Sequence, residues 1–537
     1  MPLEGTRPAD GHRAYSRALV GMTAPRVTVE THLPGGLPGF TLVGLPETAV
    51  REARDRVKSA IQNCGLDFPL GRVVVNLAPA ELAKEGARFD LAIAVSVLCA
   101  TGQLPNERVS RHEFLGELGL FGEIRATRGC LCAALSIEQE IALGVEQGAE
   151  RDKDTADQAP TPLALIVPLA NGQECLLDPA ARLRPAAHLM DVVRFLRSPE
   201  KFPLPAPAST PAATSADLAV KSLADVRGQE AAKRALVIAA AGGHHLLMVG
   251  PPGTGKTMLA QRMQSLLPRL DDASALEVAA IYSAATMSPP PPGVAPFREP
   301  HHSASAPALV GGGSKALPGE ISLAHRGVLF LDELPHFKPS VLNLLREPLE
   351  SRQIAIARAA YRTSFPAAFQ LVAAMNPCPA GRLCEQQSCR CSPDQVRRYQ
   401  GRISGPLLDR IDLHVSVPPV PEHLVLKNQE ADLQASDWVG QITLARAAQR
   451  RRQGVLNADI SGSETIRLAG LNAPARALLT RAAERYRLSA RSTHRVLRTA
   501  RTAADLDEST CVSTEHVSEA LSFRALDWEG GLGMAAF

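Results

Sequence analysis

One stretch constrains the chain more than any other: Leu246-Leu-Met-Val-Gly250-Pro251-Pro252-Gly253-Thr254-Gly255-Lys256-Thr257. Four apolar residues read as a short buried strand, a glycine-rich turn follows, and a helix opens near Met258. The turn fits G-x-x-x-x-G-K-T, a phosphate-binding signature. Gly250, Gly253 and Gly255 let the backbone curl so that successive N–H groups face one anion. The helix behind them aims the positive end of its dipole at the same place. Lys256 then reaches the β- and γ-phosphates of a nucleoside triphosphate, and Thr257 becomes a Mg²⁺ ligand. The expected ligands are ATP and Mg²⁺.

A second nucleotide signature lies downstream in Gly327-Val-Leu-Phe-Leu331-Asp332-Glu333. Its apolar run predicts a buried parallel strand whose carboxyl end, where open α/β sheets bind ligands, carries two acids. Asp332 is expected in the Mg²⁺ shell, and Glu333 is expected to polarise the attacking water. Phe369-Gln-Leu-Val-Ala-Ala-Met-Asn376 reads as another buried strand ending at the same edge. The Asn376 amide offers a donor and an acceptor for the γ-phosphate or for water.

With 537 residues the chain exceeds one hydrophobic core. Runs such as Arg26-Val-Thr-Val-Glu-Thr-His-Leu, Phe40-Thr-Leu-Val, Arg72-Val-Val-Val-Asn-Leu and Ala164-Leu-Ile-Val-Pro alternate with helical patterns, which predicts an α/β domain over 14–197. Residues 1–13 read as a flexible start and 198–220 as a Pro/Ala-rich linker. The nucleotide signatures fall in 221–420, and 421–537 reads as helical. A net charge of +3 is too small to argue for nucleic acid from global electrostatics, so any such case rests on local clusters. Met1-Pro-Leu-Glu-Gly-Thr-Arg is followed by no apolar run, and the longest apolar stretch, Leu91 to Ala100, is half a bilayer span. The expectation is a cytoplasmic protein with no membrane segment.

Five further features each leave more than one reading open. Arg352 to Pro366 alternates like a strand pair around a tight turn, and Arg358, Tyr361 and Arg362 in it either face a nucleic acid strand or form a solvated face. Pro300-His301-His302-Ser303 lies in an irregular segment and is either an incomplete metal site or a structural or DNA-facing insert. Cys378, Cys384, Cys389 and Cys391 are either a structural Zn²⁺ clip or free thiols. Arg410, just before an apolar strand, either reaches a neighbouring subunit's γ-phosphate or joins a surface ion pair with Asp409 and Asp412. Arg491, Arg495 and Arg498 fall on one helix face, so an anionic partner is expected: ATP phosphates, DNA, or acids such as Asp505. Pro335 to Glu350 predicts one helix that Pro348 kinks or ends.

Taken together, the chain resembles the magnesium-chelatase-like AAA+ family of the ComM/YifB type. The resemblance rests on the nucleotide signatures and on Gly36-Leu-Pro-Gly-Phe-Thr-Leu-Val-Gly-Leu-Pro46, Val75-Asn-Leu-Ala-Pro-Ala80, Lys84-Glu-Gly86, Gly228-Gln-Glu-Ala-Ala-Lys233, Pro300-His-His-Ser303, Asn376-Pro-Cys378 and Ser404-Gly-Pro-Leu-Leu-Asp-Arg-Ile-Asp-Leu413. It implies an AAA+ core with a parallel sheet, a C-terminal helical lid and a Lon-protease/S5-like N-terminal domain. It also implies assembly into a homo-hexamer, promoted by ATP or DNA, with Arg410 as an arginine finger acting in trans. Arg491, or failing it Arg495, would be the lid sensor, and Arg358 would face the pore. No serine–lysine pair of the Lon kind is present, so proteolysis has no chemical basis. The usual Cys-Pro-Cys-Gly is altered to Cys378-Pro-Ala380-Gly.

The implied activity is ATP-driven branch migration on single-stranded and branched DNA during recombination in natural transformation. The alternatives are a magnesium-chelatase-type motor or a chaperone that remodels a protein partner.

Overall fold

The computed structural model describes residues 12–44, 52–148, 164–177, 180, 182–205, 222–313, 316–358, 361–381, 391–421 and 438–524. Most of the expected flexible start, most of the expected linker, and Cys384 and Cys389 lie outside the described residues.

The first unit is built on a seven-stranded mixed sheet. Its strands are β1 (His12–Arg17), β2 (Arg26–His32), β3 (Gly39–Val43), β4 (Arg72–Ala78), β5 (His112–Phe114), β6 (Ala164–Pro168) and β7 (Leu183–Ala186), in the order β3-β4-β2-β1-β5-β6-β7. β2 runs antiparallel to β1 and β4, while the other neighbours are parallel. The longer helices are α1 (Ala53–Asn63), α2 (Asp90–Ala100), α3 (Cys130–Gly148) and α4 (Leu189–Arg197). On β2, Val27, Val29 and Thr31 point inward and the residues between them do not, as an alternating run requires. The apolar stretch from Leu91 to Cys99 is buried at every position of α2. Its uniform hydrophobicity marks a helix enclosed on all sides.

The second unit holds the nucleotide signatures. In chain order it comprises α5 (Glu230–Gly242), β8 (Leu246–Val249), α6 (Lys256–Leu266), α7 (Asp272–Ala285), β9 (Phe297–Arg298), β10 (Val328–Leu331), the hairpin strands β11 (Gln353–Arg358) and β12 (Tyr361–Pro366), β13 (Gln370–Met375) and β14 (Leu413–Ser416). Five strands form a parallel sheet in the order β9-β10-β13-β8-β14. Period-two side-chain direction splits its core in two. Leu246, Met248, Phe330, Val372 and Leu413 pack on α5 and α6 through Leu236, Leu259 and Met263. Leu247, Val249, Leu331, Ala373 and Met375 pack on the other side against Phe337, Leu345, Phe365 and Leu407. This is the expected α/β class with both faces of the sheet covered.

The single helix predicted over Pro335 to Glu350 is not formed. A 3-10 turn at Leu334–His336 and short helices at Pro339–Asn343 and Pro348–Ser351 replace it. Both prolines occupy first-turn helix positions, where a missing N–H costs nothing, so each starts a helix rather than interrupting one.

The two units touch where α3 meets α7. Leu131 and Cys132 pack with Ala279, Ala280 and Ala284, and the Gly129 N–H donates to Ser283 O at 3.0 Å.

The last unit is helical: α8 (Trp438–Gln453), α9 (Gly462–Ala469), α10 (Ala473–Arg485), α11 (Ala490–Leu506) and α12 (Thr514–Ser522). Part of its arginine excess is neutralised internally. Buried Asp505 accepts from Arg452 Nη1 at 2.7 Å, Arg501 Nε at 3.0 Å and Asn457 Nδ2 at 2.8 Å. Replacing Asp505 by alanine would strand two guanidinium groups, which predicts a loss of about 3–5 kcal/mol. A denaturant titration checks this, and an unchanged midpoint with an unchanged slope would contradict it. Among the described residues no helix is long and apolar enough to cross a membrane.

Candidate nucleotide site

The carboxyl ends of β8, β10 and β13 lie at one edge of the sheet and carry Gly250, Asp332 and Asn376 respectively. Close packing dictates glycine at 250, since a Cβ there would stand 2.2 Å from Val417 O. Gly255 caps α6 with φ +89°, a left-handed conformation that glycine adopts without steric cost. Thr254 Oγ1 donates to Pro251 O at 3.0 Å and tightens the turn between them. The turn is tied to the segment that follows β14 by Gln229, whose Nε2 donates to Pro418 O at 2.5 Å and approaches Thr254 O at 3.4 Å.

Lys256 is buried at the first position of α6. Its Nζ donates to Gly250 O at 2.8 Å, Pro251 O at 2.7 Å and Asn376 Oδ1 at 3.1 Å. Burial lowers its pKa, and the charges of Asp332 and Glu333 oppose that shift. A nearby phosphate would offset the cost of burying this ammonium. Thr257 Oγ1 donates to Asp332 Oδ2 at 2.7 Å. A hydroxyl and a carboxylate brought together in this way are the hard oxygen donors that Mg²⁺ takes, so the pair fits that ion. Thr257 and Asp332 would hold that ion, which would supply charge neutralisation for the bound phosphates.

Glu333 follows in a left-handed conformation, φ +51° and ψ 47°, and its N–H donates to Asp332 Oδ1 at 2.8 Å. Its half-exposed carboxylate lies 3.3 Å from His302 Nδ1 and 3.1 Å from His336 Nδ1.

Arg410, Arg491 and Arg495 are elsewhere. They gather at the amino-terminal edge of the sheet, beside His245 and Asp412, which precede β8 and β14. A cavity of about 490 Å³ there is lined by five arginines (Arg352, Arg410, Arg491, Arg495 and Arg498) against three carboxylates. Arg410 Nη2 donates to Glu350 Oε1 at 2.5 Å and Nη1 to Pro406 O at 2.6 Å. Arg491 Nη2 stands 3.7 Å from the same Glu350 oxygen. The alternative reading, an ion pair of Arg410 with Asp409 and Asp412, is not what the structure shows: Arg410 pairs with Glu350. Asp412 instead faces Arg495 Nε at 3.4 Å and His244 Nδ1 at 3.4 Å. Burial pushes the Asp412 carboxyl up, but the His244 hydrogen bond and the Arg495 charge outweigh it and hold it well below the usual carboxylate range. Arg498 donates to the Ala458 and Ile460 carbonyls.

The predicted hairpin forms. Arg358 and Tyr361 are its last cross-strand pair before the turn, with Ala357 opposite Arg362. Its root is packed through Ile354, Ile356 and Phe365. The side chains of Arg358, Tyr361 and Arg362 lie outside the described residues. Cys378 is buried and Cys391 half-buried. Among the described residues no group of three or more His, Cys, Asp or Glu side chains suits a metal ion.

Sequence reasoning missed three contributors. Gln229 sits inside the Gly228-Gln-Glu segment, but nothing local ties it to a turn twenty-five residues on. Nothing in the sequence joins His302 to Glu333, or Glu350, the end of an expected helix, to Arg410. Each is a long-range pairing that the fold alone creates.

Three family models match separate parts of the chain. Residues 222–425 match the magnesium chelatase subunit ChlI family, 29–145 the ChlI subunit of Mg-chelatase, and 434–524 the ChlI C-terminal region. The competence protein ComM of Haemophilus influenzae is 44% identical over 515 residues, 95% of this chain and 97% of its own. YifB of Escherichia coli is 44% identical over 517 residues, 96% of this chain and 97% of its own. A Mycobacterium tuberculosis relative is 42% identical over 521 residues, 95% of this chain and 98% of its own.

Proposed function

Because this chain belongs to the magnesium-chelatase-like family that includes ComM and YifB, we propose that it is a ring-forming ATPase acting on DNA. In this reading the ring is a homo-hexamer that drives branch migration on single-stranded and branched DNA in the recombination step of natural transformation. The observation that carries the ATPase part is the joining of Lys256, Thr257, Asp332 and Asn376 by hydrogen bonds at one sheet edge, with Glu333 beside them. The choice of DNA is supported by the relative that carries the name competence protein, and by the basic and aromatic residues Arg358, Tyr361 and Arg362 at a hairpin turn.

The chemistry assigned to the chain's own residues is as follows. Backbone N–H groups of the 250–257 turn bind the phosphates, and Lys256 neutralises charge between them. Glu333 polarises a water for in-line attack on the γ-phosphorus, and Asn376 orients that water or the γ-phosphate. Arg410 and Arg491 reach the nucleotide of the adjoining subunit and stabilise the charge that develops on its γ-phosphate. Zinc has no place in this mechanism, since four thiolates would leave no open coordination position.

Branch migration on a synthetic four-way junction tests the proposal. The wild-type protein should move the junction with ATP, while Lys256→Ala and Arg410→Ala should not. A wild-type protein that hydrolyses ATP at the same rate with and without DNA, and moves no junction, would overturn it. The family match to the chelatase subunit itself supports a second reading, a motor that remodels a protein partner. DNA affinity that falls steeply with salt separates the two, because counterion release accompanies phosphate contacts.

A further inference from the structure

One carboxylate oxygen holds together the two arginines assigned to the neighbouring nucleotide. Glu350 Oε1 accepts from Arg410 Nη2 at 2.5 Å and stands 3.7 Å from Arg491 Nη2. The three side chains come from three separate elements. Glu350 lies in the short helix Pro348–Ser351 that leads into β11, Arg410 follows the short helix Gly405–Leu408, and Arg491 is in the first turn of α11. Donors outnumber acceptors at this place. Arg410 Nε and Arg495 Nη1 are buried without a hydrogen-bond partner among the described residues, and both side chains are about nine-tenths buried. An unpaired buried donor carries the cost of its lost water, so the pocket is built for more acceptor oxygens than the chain supplies. Glu350 is the accessible member of the group, with its side chain 53% exposed at the cavity described above.

We propose that Glu350 is a positioning residue that occupies, in a subunit without a nucleotide-loaded neighbour, the place of that neighbour's γ-phosphate. It leaves when the neighbour docks. The proposal rests on the reading of Arg410 and Arg491 as groups acting in trans, and deepens it by naming what holds them beforehand. Two guanidinium groups converging on one oxygen is the arrangement that a terminal phosphate oxygen would meet. Without an anion between them, their like charges would drive them apart. A γ-phosphate brings three oxygens and a larger charge, so it outcompetes a single carboxylate oxygen for the same donors. The hydrogen bond from Arg410 Nη1 to Pro406 O, at 2.6 Å, is made within its own turn and survives the exchange. The guanidinium therefore stays aimed while its acceptor changes. Arg352, two residues after Glu350, is ion-paired with Asp459 of the last unit, so the backbone that carries Glu350 stays anchored and only the side chain moves. Docking must first break the Glu350 pair, which weakens association between subunits.

The test measures ATP turnover and assembly against protein concentration for wild type, Glu350→Gln, Glu350→Ala and Arg410→Ala. Glutamine keeps the size of the side chain and removes its charge. Both Glu350 variants should reach half-maximal turnover at a protein concentration about three- to tenfold below that of wild type, the scale of one partly exposed charge-assisted pair. Sedimentation with a non-hydrolysable ATP analogue should show the same shift, and KM for ATP at saturating protein should not change. The assembly shift caused by Glu350→Gln should shrink in the Arg410→Ala background, where the competition for that guanidinium is gone. An undiminished shift there would overturn the exchange. So would a midpoint that stays or rises in the single variants, or a turnover at saturating protein that falls tenfold or more. Arg410→Ala alone separates the two levels. If it hydrolyses ATP normally, the reading in trans has failed; if it is inactive and the Glu350 midpoints do not fall, only the role of Glu350 has failed.

Discussion

Arg410→Ala should bind ATP with unchanged affinity and hydrolyse it roughly 10³-fold more slowly, the scale of a lost arginine finger. The expectation follows from where the parts sit. The phosphate-binding turn leaves the carboxyl end of β8, whereas Arg410 precedes β14, which runs parallel to β8 with Leu413 opposite Leu246. The length of the four-residue strand, about 13 Å, therefore separates the two edges. Arg410 contributes nothing to the nucleotide bound by its own chain, so binding survives its loss. What disappears is charge stabilisation of a neighbour's transition state. Arg491 shares the Glu350 oxygen with Arg410, so the lid sensor is assigned to the same neighbouring nucleotide. Equilibrium binding of a fluorescent ATP analogue and steady-state turnover separate the two effects. Weakened binding with unchanged turnover would place Arg410 outside the chemistry.

Glu333→Gln should lose at least about 10²-fold in kcat while keeping KM, because a general base that acts only in the transition state typically contributes that much. Among the described residues its carboxylate approaches His302 and His336 and makes no hydrogen bond to the phosphate-binding turn. The amide is isosteric, so the backbone at φ +51° should persist. A raised KM with unchanged kcat would instead give Glu333 a role in binding. Should glutamine retain full activity, another group must orient the water.

The two predictions differ in how far the sequence alone could carry them. Glu333 was legible because a buried parallel strand reads as an uninterrupted apolar run, and the residues after Leu331 must then fall at the ligand-binding edge. Lys256 and Thr257 were legible for the same reason, since the glycine spacing fixes the local backbone. The fold class followed from these strands, and the buried helix α2 was visible as an apolar run too short for a membrane. Arg410 was visible only as a residue before a strand. Which edge it occupied depended on the direction of β14 relative to β8, and parallel pairing between residues 246 and 413 leaves no local signature. Its partner within the chain was not legible either, because Asp409 and Asp412 are near in sequence whereas Glu350 is near in space. The helix predicted over Pro335 to Glu350 failed for a different reason. Periodicity does not say whether a proline starts a helix or interrupts one. Asp505 was anticipated among the anionic partners of the arginine-rich helix, yet its partners turned out to be Arg501 and Arg452, one turn away and one helix away.

The claim that most needs testing is that each nucleotide site is completed by a second copy of the chain. Lys256→Ala removes the nucleotide site of a subunit but leaves its Arg410, and Arg410→Ala does the reverse. Each protein alone should be inactive. Mixed in equal amounts and allowed to assemble, they should recover about a quarter of wild-type ATP turnover, because one in four head-to-tail interfaces pairs an intact site with an intact arginine. A mixture that stays at the sum of the two separate rates, in rings shown to contain both proteins, would contradict completion in trans and with it the account of the site.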